Sequence, residues 1–119
     1  MNRAKEIVRI AYQAMDEHKG QEITVLDIHD VSVIADYFII VSGENDRQVA
    51  ALQDAVEDAL GRAGYEHRSI EGAHTTSWIL MDYNDVIIHI FNKEDRLFYD
   101  LERIWRDGKR ISPENFAND

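Results

Sequence analysis

Apolar positions along the chain follow two rhythms. Ile7, Ile10, Ala11, Ala14 and Met15 recur every three or four residues, which predicts a helix over 3–19 with Gly20 as its C′ stop. Glu22-Ile23-Thr24-Val25-Leu26-Asp27-Ile28 is short and β-branched and predicts a strand. After a connection over 29–35, Tyr37-Phe38-Ile39-Ile40-Val41 is apolar without a break, the pattern of a strand covered on both faces. The helical rhythm then returns in Val49, Leu52, Val56, Ala59 and Leu60. Ser42 or Asn45 is the expected cap of this second helix, and Gly64 its end.

The second half alternates faster. A short strand is expected over 65–70, a loop over 71–76, and two strands over 77–82 and 85–91. The tight turn between the last two places Asn84 where φ > 0 is tolerated. Asn92 is the expected cap of a last helix, whose apolar face is Leu97, Phe98, Leu101, Ile104 and Trp105 and whose end is Gly108. The order α-β-β-α-β-β-β-α predicts a mixed sheet of about five strands flanked by helices, an α/β (α+β) domain over 1–108. Residues 109–119 hold the single proline and little periodicity and read as a C-terminal tail without fixed structure.

Charge narrows the function more than composition does. With 23 acidic against 13 basic residues the net charge is -10, and Lys109-Arg110 is the only adjacent basic pair. Nucleic-acid binding draws its affinity from Lys and Arg at phosphates, so little direct nucleic-acid binding is expected and a basic partner is favoured. There is no cysteine, which removes disulfides and thiolate metal sites. No apolar run nears the roughly 20 residues of a membrane helix. The polar start Met1-Asn2-Arg3-Ala4-Lys5-Glu6 lacks a secretory core, and a cytoplasmic protein is expected.

Catalytic and metal chemistry find little support. Ser42-Gly43 follows a buried strand, but Ile40 and Glu44 stand where a nucleophile elbow needs glycine, so capping is the expected role of Ser42. No two of His18, His29, His67, His74 and His89 have the i, i+4 spacing of a helical zinc motif. Asp82, Asp85 and His89 lie near one another in sequence, yet four strand residues put His89 roughly 13 Å from Asp85, too far to share an ion. Neither cofactor nor metal is expected. His89, between Ile88 and Ile90, reads as a hydrogen-bonded structural residue. Trp78, at the start of its strand, and Tyr83, expected to be exposed at the turn tip amid Asp82 and Asp85, have the composition of a protein-binding hot spot.

Several motifs in order then resemble one family. They are Asp30-Val31-Ser32 with Ala35-Asp36-Tyr37-Phe38-Ile39-Ile40, Ser42-Gly43, Arg47-Gln48-Val49, Glu71-Gly72, the long run Trp78 to Phe91, and Arg96-Leu97-Phe98-Tyr99-Asp100-Leu101-Glu102-Arg103-Ile104-Trp105. Across about residues 3–107 the chain resembles the ribosomal silencing factors, also called Iojap-like proteins. Asn84 stands where that family usually has glycine, and both residues accept φ > 0.

The resemblance implies a nucleotidyltransferase-like fold without catalytic carboxylates, and a non-enzymatic role. Such a protein binds ribosomal protein uL14 on the large ribosomal subunit, blocks joining of the small subunit and represses translation when nutrients are short. Related organelle proteins act in large-subunit assembly, and the free form is often a homodimer. By this resemblance the uL14-binding residues are Trp78, Asp82, Tyr83 and Asp85 on the hairpin, with Tyr99 and Glu102 on the last helix. The competing expectation is an enzyme using the dispersed acids Asp36, Asp82 and Asp85.

Overall fold

The computed structural model describes residues 3–30, 32–72, 78–94 and 109–111. Helix α1 (Arg3–Glu17) leads into strands β1 (Gln21–Asp27) and β2 (Tyr37–Gly43), then helix α2 (Asp46–Arg62). Strands β3 (Ser69–Glu71), β4 (Trp78–Asp82), β5 (Val86–Asn92) and β6 (Lys109–Arg110) follow. They form one sheet in the order β3-β4-β5-β2-β1-β6. β2 and β5 run parallel from Tyr37↔Val86 to Gly43↔Asn92, and the other described pairs are antiparallel. The fold is the expected α+β mixed sheet. Its sixth strand comes from the segment read as a tail: Lys109 and Arg110 pair with Asp27 and Leu26.

Burial explains the two rhythms. β2 and β5 sit in mid-sheet, so every residue of β2 and all but Asn92 of β5 are buried. α1 and α2 deliver Ile7, Ala11, Met15, Val49, Leu52, Val56 and Leu60 to one face of the sheet, where they meet Ile39, Val41, Ile79, Met81, Ile88 and Ile90. A second cluster on the opposite face gathers Leu26, Ile28, Ala35, Phe38, Ile40, Ile87 and Phe91, with Trp78 and Leu80 packed against it. Alternation along each strand sorts the side chains between the two.

Two end signals differ from expectation. Lys19, at φ 64°, takes the left-handed position after α1. Gly20 is needed for closeness instead: an added Cβ would lie 2.8 Å from Val41 Cγ2 and 3.0 Å from the Met15 carbonyl, whose oxygen accepts the Gly20 N–H at 2.8 Å. At α2, Asn45 is the cap; its side chain accepts the Gln48 N–H at 3.0 Å. Ser42 cannot cap because it is a buried residue of β2, three positions too early in the chain. Gly64 ends the helix at φ 92° as expected.

The hairpin turn is built as the sequence indicated. Asn84 adopts φ 71°, the Asp82 carboxylate accepts the Asn84 N–H at 2.8 Å, and Tyr83 N–H donates to the Val86 carbonyl at 2.9 Å. Asn92 accepts the Glu94 N–H at 3.1 Å, and Lys93 and Glu94 begin a helix. The remainder of that expected helix lies outside the described residues.

Candidate functional site

The hairpin residues divide between the two faces of the sheet. Trp78, Leu80 and Asp82 stand opposite Phe91, His89 and Ile87 and share the face away from α1 and α2. Tyr83 has the opposite parity, that of Ile79 and Met81, and its side chain joins the helix-side core with 1% exposure. The expectation that Tyr83 is exposed is therefore wrong: a turn position fixes where the backbone runs, and strand parity carries the ring inward. Its rim neighbours are Glu57, Gly61, Tyr65, Glu66 and His67, around a cavity of about 270 Å³. Loss of solvent, then the nearby Glu57 carboxylate, pushes the Tyr83 phenol up to about 12.

On the face away from α1 and α2, a largely buried aromatic row crosses the sheet. Trp78 stacks on Phe91 at 5.4 Å and on His89 at 5.9 Å, and His89 packs against Phe38 at 4.9 Å. Trp78 Nε1 donates to His89 Nδ1 at 3.1 Å. That bond fixes the tautomer with the proton on Nε2, which is buried and lacks a hydrogen-bond partner among the described residues. His89 is 4% exposed, and desolvation lowers its pKa to about 4. It is a neutral, structural residue at neutral pH, as expected from its position. Trp78 itself is only half-buried, and its ring is the large aromatic surface that strand β4 presents on this face.

The two hairpin acids are held differently. Asp82 caps its own turn through Asn84, leaving its charge at the end of β4. Asp85 lies 3.5 Å from Arg3 Nε, and Arg3 also donates to the Tyr83 carbonyl at 3.4 Å and sits 5.1 Å over the Tyr65 ring. The Asp85 carbonyl accepts N–H groups from Asp36 at 2.8 Å and Tyr37 at 3.2 Å, which ties the turn to the start of β2. Asp36, Asp82 and Asp85 are thus near neighbours along the backbone. Among the described residues, no three His, Asp or Glu side chains converge to hold a metal ion. Tyr99 and Glu102 lie outside the described residues.

The face that results sets a partly buried Trp78 against a buried aromatic row, with carboxylates at the turn at the other end of β4. It offers contact area and negative charge. No helix among the described residues is long and apolar enough to cross a membrane.

Comparison with known proteins supplies the family. The model of the family "Ribosomal silencing factor during starvation" matches residues 1–119. The ribosomal silencing factor of Bacillus subtilis is 37% identical over 104 residues, covering 87% of this chain and 88% of that protein. A crystal structure of a Chromobacterium violaceum protein superposes with a TM-score of 0.85 at 32% identity, covering 93% of this chain and 92% of that one. A mouse protein named for mitochondrial assembly of the ribosomal large subunit is 26% identical, covering 86% of this chain and 46% of its own length. An intact family match, close relatives and a shared fold agree, and the chain belongs to the ribosomal silencing factor family.

Proposed function

We propose that this silencing factor binds ribosomal protein uL14 on the large subunit and sterically prevents the small subunit from joining, repressing translation under nutrient limitation. It makes and breaks no covalent bond. The observation that carries the reading is that one strand, β4, has the partly buried Trp78 ring at its start and the Asp82 and Asp85 turn at its end, on a chain of net charge -10. Such a surface complements a basic ribosomal protein and is repelled by bare phosphate. Held there, a body about 33 × 33 × 25 Å in extent excludes another particle from the same space. Tyr99 and Glu102 remain assigned to the contact by the family resemblance. The protein works in the cytoplasm, and its free form is a homodimer, which sedimentation velocity of the wild-type chain tests directly.

Capture of purified uL14 tests the docking. Trp78→Ala should weaken capture at least tenfold, and Asp82→Asn with Asp85→Asn, which keeps the turn acceptor while removing both charges, should weaken it several-fold. Undiminished capture by both variants removes this surface from the interface. A second reading, action on large subunits still being assembled, is favoured by the name of the mouse relative. Enrichment of the protein on precursor particles over mature subunits would support it.

A further inference from the structure

The loop between β1 and β2 exposes what a folded protein ordinarily hides. Val33 is 105% exposed and Ile34 64%, and they are the large exposed hydrophobic side chains among the described residues. The loop that carries them is fastened. Ile28 N–H donates to the Asp36 carbonyl at 2.9 Å, closing its neck. Inside the neck, Ser32 N–H donates to the Ile28 carbonyl at 2.8 Å, and Ile34 N–H donates to the Ser32 hydroxyl at 3.0 Å. Ile28 and Ala35 are buried in the cluster on the face away from the helices, so the pair is held out from an anchored base. An apolar pair held out by a closed loop is a mark of contact with a partner.

The surroundings say what kind of partner. Asp27, Asp30 and Asp36 belong to the same segment, and the Asp36 N–H reaches the Asp85 carbonyl at 2.8 Å, which places the hairpin acids at the same end of the sheet. His29 lies between two of these carboxylates, with Nδ1 2.5 Å from Asp27 and Nε2 3.0 Å from Asp30. Arg3 beside Asp85, Arg68 whose backbone N–H donates to the Asp82 carbonyl, and Lys109 paired with Asp27 also lie at this end and are outnumbered by its five aspartates. A second copy of the chain would bring the same negative end against itself, and RNA would bring phosphates; both are disfavoured.

We propose that Val33 and Ile34 form an apolar knob that enters a recess on the basic protein surface recognised by the hairpin, with the surrounding carboxylates matching its charge. This rests on the uL14-docking reading and adds to it the apolar anchor that buried Tyr83 does not provide. The knob and the hairpin act as two halves of one contact, joined through the Asp36–Asp85 backbone bond.

Co-sedimentation of the full chain with purified large ribosomal subunits tests the knob. Val33→Ser with Ile34→Ser should weaken binding at least tenfold and leave thermal unfolding nearly unchanged, because both side chains are in water. Val33→Ile with Ile34→Leu, which keeps the knob apolar, should bind within about threefold of wild type. Wild-type binding by the serine variant overturns the knob and leaves the uL14 reading standing. Failure of the wild-type chain to bind overturns both. If the serine variant instead loses self-association while still binding subunits, or if wild type binds naked ribosomal RNA through these residues, the occupant is a second copy or RNA and the proposal is wrong.

Discussion

A buried imidazole makes the pH behaviour of the fold specific. His89 keeps a pKa of about 4 in the folded chain against 6.5 when solvated, because burial disfavours its charged form. Above 6.5 it is neutral in both states and the full stability is present. As pH falls from 6.5 to about 4, only the unfolded chain takes up the proton, and roughly 3 kcal/mol of stability should be lost across that window. Denaturant melts across the window check this, and His89→Gln should flatten that part of the profile. Trp78→Phe keeps the stack on Phe91 but removes the Nε1 donor to His89, with an expected cost of about 1 kcal/mol. Tyr83 separates packing from docking: Tyr83→Phe should keep the ring in the core with uL14 capture unchanged, whereas Tyr83→Ala should cost about 3–5 kcal/mol. The cluster Asp82-Tyr83-Asn84-Asp85 reads as polar and exposed, while the strand's alternation, already visible in Ile79 and Met81, assigns the ring to the core.

At the level of elements, periodicity located α1, β1, β2, α2, β4 and β5 more surely than their ends. The unbroken apolar runs of β2 and β5 marked mid-sheet strands because both of their faces are covered. The short β3, expected over 65–70, is confined to Ser69–Glu71, since Tyr65 N–H still bonds back to Leu60 at the end of α2. Strand β6 was illegible: two charged residues carry no period, and only the neighbouring edge of β1 makes them a strand. Gly20 carried the right residue for another reason, closeness to Val41 rather than a left-handed turn. Gly20→Ala should therefore destabilise by about 1–3 kcal/mol through overpacking, measured by thermal melting. Asn84→Gly, at φ 71°, should be neutral or slightly stabilising, and Asn84→Val should cost roughly 1–2 kcal/mol.

For the whole molecule, the proposed function rests on charge and a contact surface. In the docking proposed above, the net charge of -10 supplies long-range attraction to a basic ribosomal protein, and Trp78 with the Val33–Ile34 knob supplies the short-range fit. Raising ionic strength several-fold should weaken docking, with slower association accounting for more of the change than faster release. The ordered motifs made the family legible in the sequence and acidity pointed to a basic partner, but the exposed pair was not legible, because Val33 and Ile34 look like core residues until the loop is seen to turn them outward. The most direct measurement is a sucrose-gradient profile of purified subunits mixed under joining conditions with increasing amounts of the wild-type chain. Joined ribosomes should decline in proportion to added protein, with the protein migrating on the large subunit alone. An unchanged joined peak with the protein bound to large subunits would contradict steric blocking, and protein left at the top of the gradient would contradict docking itself.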